Sequence, residues 1–153
     1  LTHDAMWYGS CMQELGPEKA NHLNKTAVRL MAGIEIKRIV KLMGKPKDYT
    51  VESLSELSEI IETAFQLVQT SFLTFDFSFP EKNLLRGQCN ECFAHDGVKK
   101  FGMIHNYECG IVERIKGWLD SLGVKYSMIP DFQGCLMHQN GKCVIDFRFD
   151  LNK

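Results

Sequence analysis

Apolar residues recur at helical spacing through the first half of the chain and at every second position just past its middle. Gly16-Pro17 followed by Glu18 reads as a helix start, with proline in the first turn, where a missing N–H costs nothing. Leu23, Ala27, Leu30, Met31, Ile34 and Leu42 then form an apolar stripe, Lys25, Arg29, Lys37 and Lys41 take the other faces, and Gly44 and Pro46 end the helix. A second helix is expected from Thr50, with Leu54, Leu57, Ile61, Ala64, Phe65 and Val68 on its buried side.

At Ser71 the period changes to two. Leu73, Phe75, Phe77 and Phe79 alternate with Thr74, Asp76 and Ser78 in a strand that ends at Pro80, and Leu84 to Cys92 is its expected partner. A short helical piece is predicted over His95 to Phe101. A longer helix from Glu108 carries Ile111, Val112, Ile115, Trp118, Leu119 and Leu122, with Gly123 as its C-terminal cap. Val124 to Met128 reads as strand, and Asn140-Gly141, inside Gly134 to Phe149, as the turn of a closing hairpin. Helices followed by strands around a helix give an α+β class with a mostly antiparallel sheet, in one domain over 1–153, helical over 1–69 and strand-helix-hairpin over 70–153.

Composition narrows the function classes. The 153 residues are 44% hydrophobic and 24% charged, an ordinary globular balance that buries roughly 70% of the unfolded surface without needing disulfides. Eighteen Lys plus Arg stand against nineteen Asp plus Glu, with no run of five like charges, so a nucleic-acid partner is not expected. No membrane partner is expected either, on the ground that nothing is long and apolar enough to span a bilayer: apolar stretches such as Leu30 to Met43 are broken by Glu35, Lys37, Arg38 and Lys41. No basic-then-apolar leader precedes His3 and Asp4, which points to a cytoplasmic location where cysteines are thiols, metal ligands or redox groups.

Five of the six cysteines, Cys89, Cys92, Cys109, Cys135 and Cys143, fall in the last 65 residues. Cys89 and Cys92 have the C-x-x-C spacing that places two thiolates on one ion. Cys135 and Cys143 flank the expected hairpin turn, and Cys109 opens the Glu108 helix, whose free N–H groups favour a thiolate. Three segments can therefore converge on zinc or an iron-sulfur cluster; the plain alternative is that the cysteines are small core residues. His105 and His138 lie close in sequence to Cys109 and between the hairpin cysteines, as metal ligands, proton carriers or exposed loop residues. Phe75, Phe77 and Phe79 with Trp118 and Tyr126 either line a ligand cavity or form core.

Cys109-Gly110, the helix containing Gly117, Leu122-Gly123-Val124, Gly134-Cys135-Leu136, Asn140-Gly141-Lys142-Cys143 and Phe147 together resemble the 4-vinyl reductase-type, hydrocarbon-binding domain family over Leu73 to Phe149. A looser similarity reaches proteins related to L-2-amino-thiazoline-4-carboxylate hydrolases. The resemblance implies a fold like that of TRAPP vesicle-tethering subunits, frequently dimeric, with helices on one side of a twisted antiparallel sheet. It also implies a structural zinc site on Cys109, Cys135 and Cys143 beside a pocket for small hydrophobic molecules. Members that hold the metal carry an acidic residue three positions before the second of these cysteines; here that position is Phe132, with Asp131 beside it. Cys92, in preference to Cys89, is the expected fourth ligand.

The combined expectation is a zinc-binding, small-molecule-binding domain, with Phe75, Phe77, Trp118 and Tyr126 on the ligand and two copies pairing as a homodimer. Its rivals are an iron-sulfur protein and a hydrolase in which a Cys109 thiolate attacks a carbon-nitrogen bond while His105 or His138 moves protons.

Overall fold

The computed structural model describes residues 2–46 and 48–150. Helix α1 runs Thr2–Leu42 and α2 Leu54–Val68; strands β1 (Leu73–Glu81) and β2 (Leu84–Cys92) follow, then helix α3 (Phe93–Lys100), a 3-10 turn at Ile104–Asn106, and helix α4 (Gly110–Ser121). Strand β3 (Tyr126–Ile129), the short helix α5 (Leu136–Asn140) and strand β4 (Cys143–Phe149) complete the chain. The sheet is antiparallel throughout in the order β1-β2-β4-β3. This is the expected α+β class.

One sheet face is apolar and the other polar. Leu85, Gly87 and Cys89 of β2 lie opposite Phe147, Ile145 and Cys143 of β4 and face the helices. The alternate positions Arg86 and Asp146 carry an exposed bidentate ion pair. The core joins that apolar face to Leu57, Ile60, Ile61 and Phe65 of α2, to Val112, Ile115, Trp118 and Leu119 of α4, and to Ala32, Ile36, Ile39 and Val40 of α1. Helices α1 and α4 cross closely enough that a Cβ on Gly117 would stand 2.8 Å from both the Ala32 Cβ and the Arg29 carbonyl oxygen. Across the same seam Glu35 accepts from the Arg114 guanidinium and from Trp118 Nε1.

Four local expectations change. The first helix begins before Gly16-Pro17: the pair marks a kink, with Gly16 at φ 78°, between two helical segments. The apolar stripe of α1 is not its buried face, since Leu23, Leu30, Met31, Ile34 and Leu42 are all exposed while Ala32, Ile36, Ile39 and Val40 are buried. The α2 cap is Ser53, not Thr50; its hydroxyl accepts the Glu56 N–H, and Glu56 stands at the third helical position, as in a capping box. Asn140-Gly141 does not turn a hairpin. It closes α5, with Gly141 left-handed at φ 70° as the C-terminal cap, so Cys135 sits at a helix start rather than on a strand.

Candidate metal centre

Cys92, Cys109 and Cys135 are each the N-cap residue of a helix, α3, α4 and α5 respectively. None of the three side chains makes a cap hydrogen bond, but nearby first-turn N–H groups favour each thiolate: Ala94 and His95 that of Cys92, Val112 that of Cys109, and Met137 and His138 that of Cys135. The other two sulfurs come from the sheet. Cys89 and Cys143 are direct cross-strand partners on the core-facing side, where opposing Cβ atoms lie about 4.5–5.5 Å apart. The Cys109 N–H donates to the Gly134 carbonyl at 3.0 Å, which fastens the start of α4 to the segment leading into α5.

These five sulfurs share one electrostatic neighbourhood. A charge on Cys92 bears on Cys89, Cys109, Cys135 and Cys143, and Cys109 also feels Cys143 and Cys135. The Cys89 thiol donates to the Glu91 carbonyl oxygen at 3.3 Å; beside it, the neighbouring Cys92 sulfur makes Cys89 hold its proton far more tightly than a free thiol, while the Cys92 thiolate is favoured, its pKa lowered to about 6 against the cost of burial. The remaining thiols go the other way. Burial pushes Cys109 up to about 12 and Cys143 to about 11, and raises Cys135 as well, with neighbouring sulfurs adding to each rise. The expected activation of Cys109 by the α4 N-terminus is therefore reversed: loss of hydration outweighs the single N–H of Val112.

The donor chemistry suits zinc, which takes about four thiolates, and each helix start adds positive potential that a thiolate-bound site can use. A cation would also offset the sulfur-sulfur repulsion that, after burial, adds to the rise of four of the five thiols. The sulfurs do not converge on a single point: among the described residues no three His, Cys, Asp or Glu side chains are arranged as a metal-holding group. Phe132, at the position where the resemblance expects an acid, lines a cleft of about 110 Å³ with Cys109, Met128 and Gln133, while Asp131 is exposed. That cleft joins Cys109 to the solvent, and it shares Lys25 and Glu108 with a wider polar groove of about 380 Å³ beside His22 and Asn21.

The aromatic residues expected around a ligand form no such wall. Phe75 and Phe77 pack on Phe65, with ring centroids at 5.6 and 4.9 Å, and Trp118 meets Phe65 edge-on at 5.5 Å. Tyr126 lies elsewhere, edge-on to Phe147 with its hydroxyl on Asp120. Neither cleft is lined by any of the four. Around Phe75, Phe77 and Trp118 the space between sheet and helix is filled by Phe65 of α2.

Two further side-chain contacts involve histidines. His95 and Asp96, adjacent in sequence, meet Nδ1 to Oδ1 at 2.9 Å. His105 and His138 touch across 33 positions with ring nitrogens 3.4 Å apart, both exposed. No local spacing announces that pair. Of the three cap cysteines, only Cys109 was placed at a helix start by the sequence; Cys135 was read on a hairpin strand.

No protein-family model matches the chain, and no curated protein matches it in sequence. A solved structure does share its fold: the crystal structure of a trafficking protein particle complex subunit 3 from Naegleria fowleri covalently bound to palmitic acid, at a TM-score of 0.58 and 15% identity over 95% of this chain and 92% of that one. The likeness is one of fold, and it bears out the TRAPP-subunit architecture that the resemblance implied.

Proposed function

We propose that this small α+β domain of TRAPP-subunit type binds one zinc ion through thiolates of Cys92, Cys109, Cys135 and Cys143, with Cys89 as the neutral partner of Cys92. The reading rests on one observation: three separate helix starts and a cross-strand pair place five thiols within electrostatic reach of one another. Packing alone does not call for that many sulfurs at helix N-caps, where Ser, Thr, Asp and Asn are the usual residues. Bound zinc would hold the starts of α3, α4 and α5 to the start of β4, contributing folding free energy that the short helices lack by themselves. Its part is structural, and no reaction is assigned to it.

The hydrocarbon-ligand half of the expectation finds less support. The Naegleria fowleri subunit is covalently bound to palmitic acid, whereas an apolar ligand here would have to open the packing of Phe65, Phe75, Phe77 and Trp118.

Metal analysis of the protein purified under reducing conditions tests the zinc reading. About one zinc per chain is expected, with no visible absorption, falling to well below half an equivalent in Cys143→Ser and Cys135→Ser. Wild-type protein that stays metal-free after incubation with excess Zn(II) overturns it, and a brown protein carrying iron and sulfide replaces it with the iron-sulfur rival.

A further inference from the structure

The net charge of -1 conceals a strong local imbalance. Between Lys19 and Lys45 the sequence holds seven basic residues, Lys19, Lys25, Arg29, Lys37, Arg38, Lys41 and Lys45, and one acid, Glu35. Glu35 is turned inward onto Arg114 and Trp118. Lys25 is neutralised by Glu108, Arg29 by Glu113 and Asp120, and Lys45 lies 4.0 Å from Glu59. Lys19, Lys37, Arg38 and Lys41 have no carboxylate partner among the described residues.

Those four share one helix face with the exposed apolar stripe. Leu23, Ala27, Leu30, Met31 and Ile34 follow the i, i+4, i+7, i+8, i+11 pattern; Lys19 stands one turn before it, and Lys37, Arg38 and Lys41 continue the same face beyond it. Leu30 is 67% exposed, Ile34 56% and Met31 46%, in a helix firmly packed on its opposite side. With Leu23 and Leu42 the exposed apolar area is on the order of 500 Å², the size of the largest patch on a typical monomer, which is often a functional surface.

We propose that the solvent face of α1 docks on the surface of an anionic lipid bilayer. The apolar stripe enters the boundary between headgroups and acyl chains, and the basic residues at both its ends meet lipid phosphates, the division of labour of an interfacial amphipathic helix. Charge decides against a second copy of the chain. Antiparallel pairing about the stripe sets Lys19 against Lys37 and Arg38, and parallel pairing sets each basic end on itself, so either arrangement brings like charges together. No helix among the described residues is long and apolar enough to cross a membrane, so the contact is peripheral. It involves none of the five clustered cysteines and stands or falls independently of the zinc.

Flotation of the full chain with phosphatidylcholine vesicles, with and without phosphatidylserine, tests the proposal. Binding is expected only to the anionic vesicles, weakening as salt is raised. One Lys→Gln change at Lys37 or Lys41 should cost roughly fivefold in partitioning, and Lys37→Gln, Arg38→Gln and Lys41→Gln together on the order of a hundredfold. Leu30→Glu with Ile34→Glu should abolish binding while leaving the melting temperature and metal content unchanged, because both side chains are exposed. No partitioning of the wild type, or equal partitioning onto neutral vesicles, overturns the proposal. So does a stable dimer in solution that Leu30→Glu converts to monomers.

Discussion

The α1–α4 seam and the cysteine end of the sheet are both half-buried meeting points of helices, yet they are completed differently. At the seam every group has its partner: Gly117 admits the α1 backbone, Ala32 fills the notch, and Glu35 takes both the Arg114 guanidinium and the Trp118 N–H. At the cysteine end the Cys89 thiol donates to the Glu91 carbonyl, the Cys92 thiolate is favoured beside it, and burial leaves Cys109, Cys135 and Cys143 holding their protons. The seam is finished by the chain itself, whereas the thiols are assembled in a form that a cation would complete. Stability should therefore be concentrated in the seam, and metal dependence at the cysteine end.

Substitutions can break that contrast. Trp118→Ala removes the largest fully buried side chain and should cost about 3–5 kcal/mol by urea denaturation. Gly117→Ala forces a methyl to within 2.8 Å of the Arg29 carbonyl oxygen and should cost roughly 1–3 kcal/mol in the same assay. Glu35 supplies a pH readout. Burial by itself would raise its pKa, but hydrogen bonds from Arg114 and Trp118 and the Arg114 charge together bring it below the ordinary value. A depressed carboxylate stabilises above its unfolded pKa of about 4.3 and loses that contribution as pH falls through the folded value. Glu35→Gln should therefore flatten the loss of stability below about pH 4. The smallest effect is expected at the other region: with chelator present, Cys143→Ala should shift stability by no more than about 1 kcal/mol. A loss there as large as that of Trp118→Ala would mean the thiols are ordinary core and would end the contrast.

Much of this was legible along the chain. Strands β1 and β2 appear where the period-two alternation and the polar turn between them put them, and α4 ends beside Gly123 as its pattern requires. Ser53 with Glu56 was also readable as a cap, although Thr50 competed as an equally good hydroxyl three residues earlier. Asn140-Gly141 was ambiguous in principle, because a hairpin turn and a helix C-cap both require a residue at positive φ. The aromatic residues were ambiguous in a different way: a ligand wall and a packed core use the same side chains, and only the position of Phe65 tells them apart.

Helix α1 shows where local pattern gives out. It carries two apolar stripes, one of Ala32, Ile36, Ile39 and Val40 and one of Leu23, Leu30, Met31 and Ile34, and the second holds the larger exposed side chains. Periodicity finds both but cannot choose between them. The choice is made by shape, since Gly117 of α4 admits only a helix face as narrow as Ala32, and by charge, since Arg114 and Trp118 need Glu35 turned inward. By itself the sequence determined the class, most elements and the presence of a thiol-rich half, because these follow from spacing and residue chemistry. Which face of α1 is buried, which thiol gives up its proton and what fills the space beneath Phe75 were decided only in three dimensions, where distant segments compete for the same volume and the same charge.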